Sequence, residues 1–146
     1  MKKQAYTMIA MIVLVGSMAV AAKAQTSARP LIANIPFEFS VGNKILPAGE
    51  YTVRQLTQSG PVVLQIRMKD GSASAVVHMI TAIGKAEDNA RLVFNRYGNK
   101  YFFAGAWVDG EKSGLEALKS RGERAVEREI AGIKMATESI ALTARR

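Results

Sequence analysis

Residues 35–53, Ile-Pro-Phe-Glu-Phe-Ser-Val-Gly-Asn-Lys-Ile-Leu-Pro-Ala-Gly-Glu-Tyr-Thr-Val, are the stretch on which the fold turns. From Leu31 onward the odd positions Leu31, Ala33, Ile35, Phe37, Phe39 and Val41 are apolar, while Asn34, Glu38 and Ser40 are polar. That period of two is the pattern of a strand with one face against a core. Pro36 has no N–H for a ladder, which predicts an edge position or a bulge there. Gly42-Asn43 breaks the run. Leu46-Pro47-Ala48-Gly49 suits a type I turn, because proline presets φ at the second position and glycine is favoured at the fourth. A return strand through Tyr51-Thr52-Val53 completes one β-unit.

The same period recurs downstream. Val62, Leu64, Ile66 and Met68 alternate with Val63, Gln65 and Arg67, and Lys69-Asp70-Gly71-Ser72 supplies the Asp-Gly hairpin signal. The return strand Ala73 to Ile80 carries Val76, Val77, Met79 and Ile80, apolar on both faces, which predicts a central strand covered on each side. A polar connection, Gly84 to Ala90, leads to Arg91–Tyr97 and Lys100–Val108, which flank the two-residue loop Gly98-Asn99. Alternation sends Tyr101, Phe103 and Trp107 to one side of that last strand, with Gly105 between them as a place for a ring or a bulge.

The phrase Ile-Pro-Phe-Glu-Phe-x-Val-Gly followed by Leu-Pro-Ala-Gly-Glu-Tyr-x-Val resembles the opening of a family of small exported bacterial proteins that are functionally uncharacterised. The likeness covers about the first quarter of the mature chain and, weakly, the later region in which Trp107 is followed by the basic helix. It implies export and a shared fold; the family has no assigned site residues, so it implies no chemistry.

Met1 to Ala24 has the layout of a secretory signal peptide. Lys2 and Lys3 form the charged end, Met8 to Ala22 the apolar run and Ala22-Lys23-Ala24 the cleavage site. Cleavage before Gln25 places the mature chain in the periplasm or outside the cell. The 122 residues that remain suffice for one domain that buries roughly two-thirds of its unfolded surface. The chain contains no cysteine, so disulfides and thiol chemistry are excluded. Removing Lys2, Lys3 and Lys23 lowers the formal charge from +8 to +5, a solubilising excess.

After Asp109-Gly110 the period changes. Ser113-Gly-Leu-Glu116 and Ser120-Arg-Gly-Glu123 both fit a capping box, so a helix start is signalled twice. Leu115, Leu118, Gly122, Val126, Ile130, Ile133, Thr137 and Ile140 then recur at helical spacing, with Gly122 and Gly132 as points of weakness. The division expected is 1–24 signal peptide, 25–112 β domain and 113–146 amphipathic helix and tail, packed on the β domain or extending from it. Overall the chain is expected to be mainly β: an antiparallel β-sandwich or small barrel of about six to eight strands with one C-terminal α-helix.

Little in the chain points to catalysis. His78 is the only histidine, and zinc needs three or four ligands. No P-loop, nucleophile elbow, zincin motif or EF-hand loop is present. No catalytic residue, metal or cofactor is therefore expected. Three roles follow: a non-catalytic exported interaction or structural module of the cell envelope; a carrier of a small apolar ligand or glycan; and an envelope-polymer hydrolase drawing on Glu38, Glu50, Asp70 or Asp109. Tyr101, Phe103 and Trp107 are the expected ligand-binding residues, since aromatic rings either stack on ligands or fill the core. The expected partner is a protein or envelope component rather than nucleic acid, with a weak anionic-surface contact through Arg121, Arg128 and Lys134.

Overall fold

A computed structural model describes residues 29–133 and 137–146. The leader expected over residues 1–24, and Lys134 of the basic set, lie outside them. The alternation that begins at Leu31 persists, divided between two strands. β1 (Leu31–Ile35) stops before Pro36, and β2 (Phe39–Val41) resumes after it with different neighbours. Proline cannot supply the next ladder hydrogen bond, so the chain leaves one part of the sheet there and enters another. The apolar positions keep their inward direction throughout: Leu31, Ala33, Ile35, Phe39 and Val41 are buried.

Gly42-Asn43 joins β2 to β3 (Lys44–Leu46), and Pro47-Ala48 leads into β4 (Gly49–Gln55). The return strand expected through Tyr51–Val53 does pair antiparallel with the first strand, from Leu31–Val53 to Ile35–Gly49, but the β2–β3 hairpin is inserted between the two. β3 pairs with β2 while β4 pairs with β1, so at Pro47-Ala48 the chain bends from one pair to the other and β3 and β4 do not pair. Tyr51, fully buried, donates its hydroxyl to the Pro47 carbonyl at 2.7 Å, which satisfies a phenol shut off from solvent. β5 (Val62–Met68) and β6 (Ser74–Ile83) form the expected Asp-Gly hairpin. In its turn the Asp70 carboxylate accepts from the Ser72 N–H at 2.8 Å and hydroxyl at 2.7 Å, and Gly71 takes φ 78°. β7 (Arg91–Tyr97) and β8 (Lys100–Trp107) turn at Gly98-Asn99, with Gly98 at φ 64°.

The 113–146 stretch departs from the expected continuous helix. Ser113–Ala117 is strand β9, paired with both β6 and β8, so Ser113 and Glu116 form no capping box. A helix, α1, covers only Arg121–Gly132, and Thr137–Thr143 is strand β10. The period-3.6 spacing of Leu115, Thr137 and Ile140 is thus overridden by ladder pairing at both ends. Ser120 is the true N-cap, its Oγ accepting from the Glu123 N–H at 3.1 Å.

The sheet follows the order β10-β7-β8-β9-β6-β5-β4-β1, with the β2–β3 hairpin joined to β8 by one parallel contact at Ser40–Phe102. Among the described residues it is a curled sheet of ten strands and is not closed into a barrel. Its two ends meet at a single bridge, Ile32–Arg145, with hydrogen bonds of 2.7 and 2.9 Å. Inside the curl Phe94 takes edge-on contacts from Phe37 at 5.3 Å, Phe39 at 5.3 Å and Phe103 at 5.8 Å. Such pairs add to the area that the rings bury.

The outer face of the β7–β8 hairpin carries α1. Val126 and Ile130 pack on Tyr97 and Phe102, and the Glu123 carboxylate, 4 % exposed, accepts from Tyr97 Oη at 3.0 Å and Asn95 Nδ2 at 2.8 Å. Glu123 thus serves the sheet and does not reach back to the cap.

Phe94→Ala is expected to cost ~3–5 kcal/mol, read from the urea midpoint at unchanged m-value. A loss below about 1 kcal/mol would remove Phe94 from this central place.

Burial, then the adjacent Glu123 carboxylate, pushes the Tyr97 phenol up to about 12. The folded chain holds that proton more tightly than the unfolded chain, whose phenols titrate near ~10. The resulting stability is complete below pH ~10 and is lost as pH rises through the folded value. Because burial also raises Tyr51, the measurement is a comparison: urea unfolding at stepped alkaline pH should show a shallower loss for Tyr97→Phe than for the native chain. Equal slopes would contradict the docking described for α1.

Candidate functional site

The aromatic load sits at one end of the curl and the other end is open. Along β8 the inward residues shrink from Tyr101 and Phe103 to Ala106, so the rings that fill the interior around Phe94 have no counterpart beyond Ala106. What remains is a cleft of about 670 Å³. Its inner wall is core: Leu31 of β1, Val53 of β4, Leu64 of β5, Ala106 of β8 and Leu115 of β9. Toward the mouth the same inward rows become polar, with Gln55 following Val53 on β4, Thr81 following Met79 on β6, and Ser113 preceding Leu115 on β9.

The mouth is held by local bonds. Gln55 Nε2 donates to the Thr57 carbonyl at 2.6 Å, and Arg146 Nε meets Asp109 Oδ1 at 3.1 Å. Arg29 and Glu111 also border the opening. Arg54 does too, but its Nε donates to Gln65 Oε1 at 3.1 Å on the outer surface. The site is an apolar slot with a polar, charge-mixed rim, and its volume lies within the ~300–1,000 Å³ of small-molecule sites.

None of the three aromatic residues singled out in the sequence lines this cleft. Phe103 is in the core. Tyr101 is half-buried, stacked on Phe37 at 3.9 Å with the Arg96 guanidinium 5.7 Å from its ring. It borders a separate groove of about 470 Å³ between α1 and the β2–β3 hairpin.

Trp107 corrects the expectation of a shared face. The β7–β8 register shifts at Val93/Phe94, whose partners are Gly105 and Phe103, leaving Ala104 as an extra residue. One inserted residue reverses the facing of everything beyond it, so Ala106 points inward and Trp107 outward. There Trp107 is 9 % exposed, pressed between Gly84 and Gly114, with the Arg91 guanidinium 5.4 Å from its ring. Arg91 is itself paired with Glu87.

The carboxylates considered for hydrolysis lie on separate elements. Glu50 pairs with Lys69 at 2.9 Å and Arg145 at 3.5 Å, and the Lys69 hydrogen bond holds its carboxyl below the usual range. Asp70 is lowered by its Ser72 bonds, Asp109 pairs with Arg146, and Glu38 is exposed beside the smaller groove. His78 lies exposed on β6. Among the described residues no group of three or more His, Asp or Glu side chains is placed to hold a metal. Sequence reading missed the cleft because its lining residues look like ordinary core alternation. The visible signal was the change from apolar to polar within the inward rows at Gln55, Thr81 and Ser113.

A Cβ added at Gly114 would collide with the Trp107 indole, and one at Gly84 would come within 2.6 Å of its Cη2. Gly114→Ala is therefore expected to destabilise the fold by ~1–3 kcal/mol, with a red-shifted Trp107 emission as the ring is displaced. Unchanged emission and stability would show that the indole is not pinned there. Comparison of the chain with protein-family models, with curated proteins and with solved structures returned no match.

Proposed function

We propose that this chain is a non-catalytic exported module that carries a small apolar ligand in the cleft at the open end of its sheet. The observation that carries the reading is the continuity of that cleft with the core, from the apolar Leu31, Val53 and Leu64 outward to a polar rim. A ligand buried there replaces water against apolar walls and leaves its polar end at the mouth. Export, with cleavage before Gln25 and release to the periplasm or beyond, belongs to the same reading. Its support is the leader pattern of Met1 to Ala24 together with the resemblance of the Ile35–Val53 phrase to exported proteins. The second reading, an interaction or structural module, is favoured by the bare outer face of β6.

Native mass spectrometry of the protein recovered from its exported fraction reads both parts at once. The expected species begins at Gln25 and retains a small molecule. Thr81→Trp, which fills the mouth from an exposed position, should lower the affinity for the apolar probe N-phenyl-1-naphthylamine by about tenfold or more with Tm unchanged. Probe binding equal in the variant and the native chain would rule out the cleft as the site.

A further inference from the structure

The outer face of the β5–β6–β9 segment carries a cross of apolar side chains centred on His78 that the fold leaves bare. Sequence reading expected β6 to be covered on both sides, yet Val76 is 54 % and Ile80 47 % exposed. They flank His78 along the strand. The pairing Val63–His78 sets Val63 on one side of the histidine, and the pairing Met79–Ala117 brings the next residue, Leu118, to the other. Leu118 is 68 % exposed. Helix α1, which hides the corresponding face of β7–β8, does not reach this one: its apolar side chains Val126 and Ile130 are spent on Tyr97 and Phe102. Exposed apolar side chains grouped around a single histidine in this way mark an interaction site in a stable protein.

The charges around the cross indicate what covers it. Arg67, opposite Ser74, stands at one end of the patch, and Glu116, opposite Ile80, stands at the other on the far side of β6. Both are exposed, and neither takes part in an ion pair among the described residues. A two-fold axis lying in the face and running across the Arg67–Glu116 line brings each residue over its opposite in a second copy. The two salt bridges then close around Val76, Ile80 and Leu118. Such self-complementarity is what an isologous interface requires. A bilayer surface would call for basic and aromatic anchors in place of Glu116.

We propose that the chain forms a homodimer through the outer faces of β5, β6 and β9, with Arg67 of each copy paired to Glu116 of the other. This surface is separate from the ligand cleft and stands independently of the carrier role.

The test is sedimentation velocity of the purified protein over a range of concentrations. A concentration-dependent dimer is expected. Val76→Glu and Ile80→Glu, both at exposed positions that the fold tolerates, should each raise the dimer Kd by about tenfold or more. Arg67→Glu and Glu116→Arg should each weaken the dimer, and the double variant should restore it, because both intermolecular pairs are then re-formed with signs reversed. A monomer at every concentration overturns the proposal. So does a dimer indifferent to Val76→Glu, and so does a monomer that adsorbs through this face to phosphatidylglycerol vesicles.

Discussion

Phe94 is the point at which the curl of the sheet is pinned. Rings from the β1–β2 segment and from β8 reach it, so residues 37, 39, 94 and 103 form a single aromatic knot. The Phe37 and Phe39 contacts join the β1–β2 segment to β7, with which it has no ladder among the described residues, and β2 meets the neighbouring β8 at one register pair, Ser40–Phe102. Side-chain packing therefore holds together what the backbone does not. The knot also determines where the interior is full, and by default where it is open. Volume concentrated at Phe94 and Phe103 leaves Ala106 and Leu115 to line the other end.

A single inserted residue, Ala104, divides the work of β8 between two faces. On its N-terminal side Phe103 points to the core and Phe102 outward beneath α1; on its C-terminal side Ala106 points inward and Trp107 outward onto two glycines. Without the bulge Trp107 would enter the cleft and fill it. The cleft and the Trp–Gly contact are in this sense two results of one backbone irregularity.

Helix α1 attaches by a small apolar contact and a buried hydrogen-bonded carboxylate, Glu123, in its first turn. The helix N-terminus favours a negative group at that position, and Tyr97 and Asn95 give it neutral donors once water is excluded. Its coverage stops at β7–β8. The outer face of β6 is thereby left with Val76 and Ile80 exposed, and it is separate from the cleft in position and in chemistry.

Much of this architecture was legible in the order of residues. Alternation located β5, β7 and β8 nearly to the residue, placed β4 and β6 within two or three residues and read β1 and β2 as one strand; Gly98-Asn99 and Asp70-Gly71 marked their hairpins, and of two signalled helix starts Ser120 was the one used. Such signals are local: a period of two, a positive φ or a hydroxyl cap is set by residues within a few positions of one another. What the sequence by itself determined is a mainly β chain with a helix toward its C-terminal end; its confinement to Arg121–Gly132 was not among the local signals. Tertiary structure decided the rest. Ser113–Ala117 and Thr137–Thr143 carry helix-like spacing, yet they became strands because open edges of β6, β8 and β7 were there to pair with. The bulge at Ala104, and with it the facing of Trp107, arises from register against β7. Which core residues border a cleft depends on where the sheet ends meet and where its aromatic volume lies. Those are sums over distant segments, and no local pattern carries them.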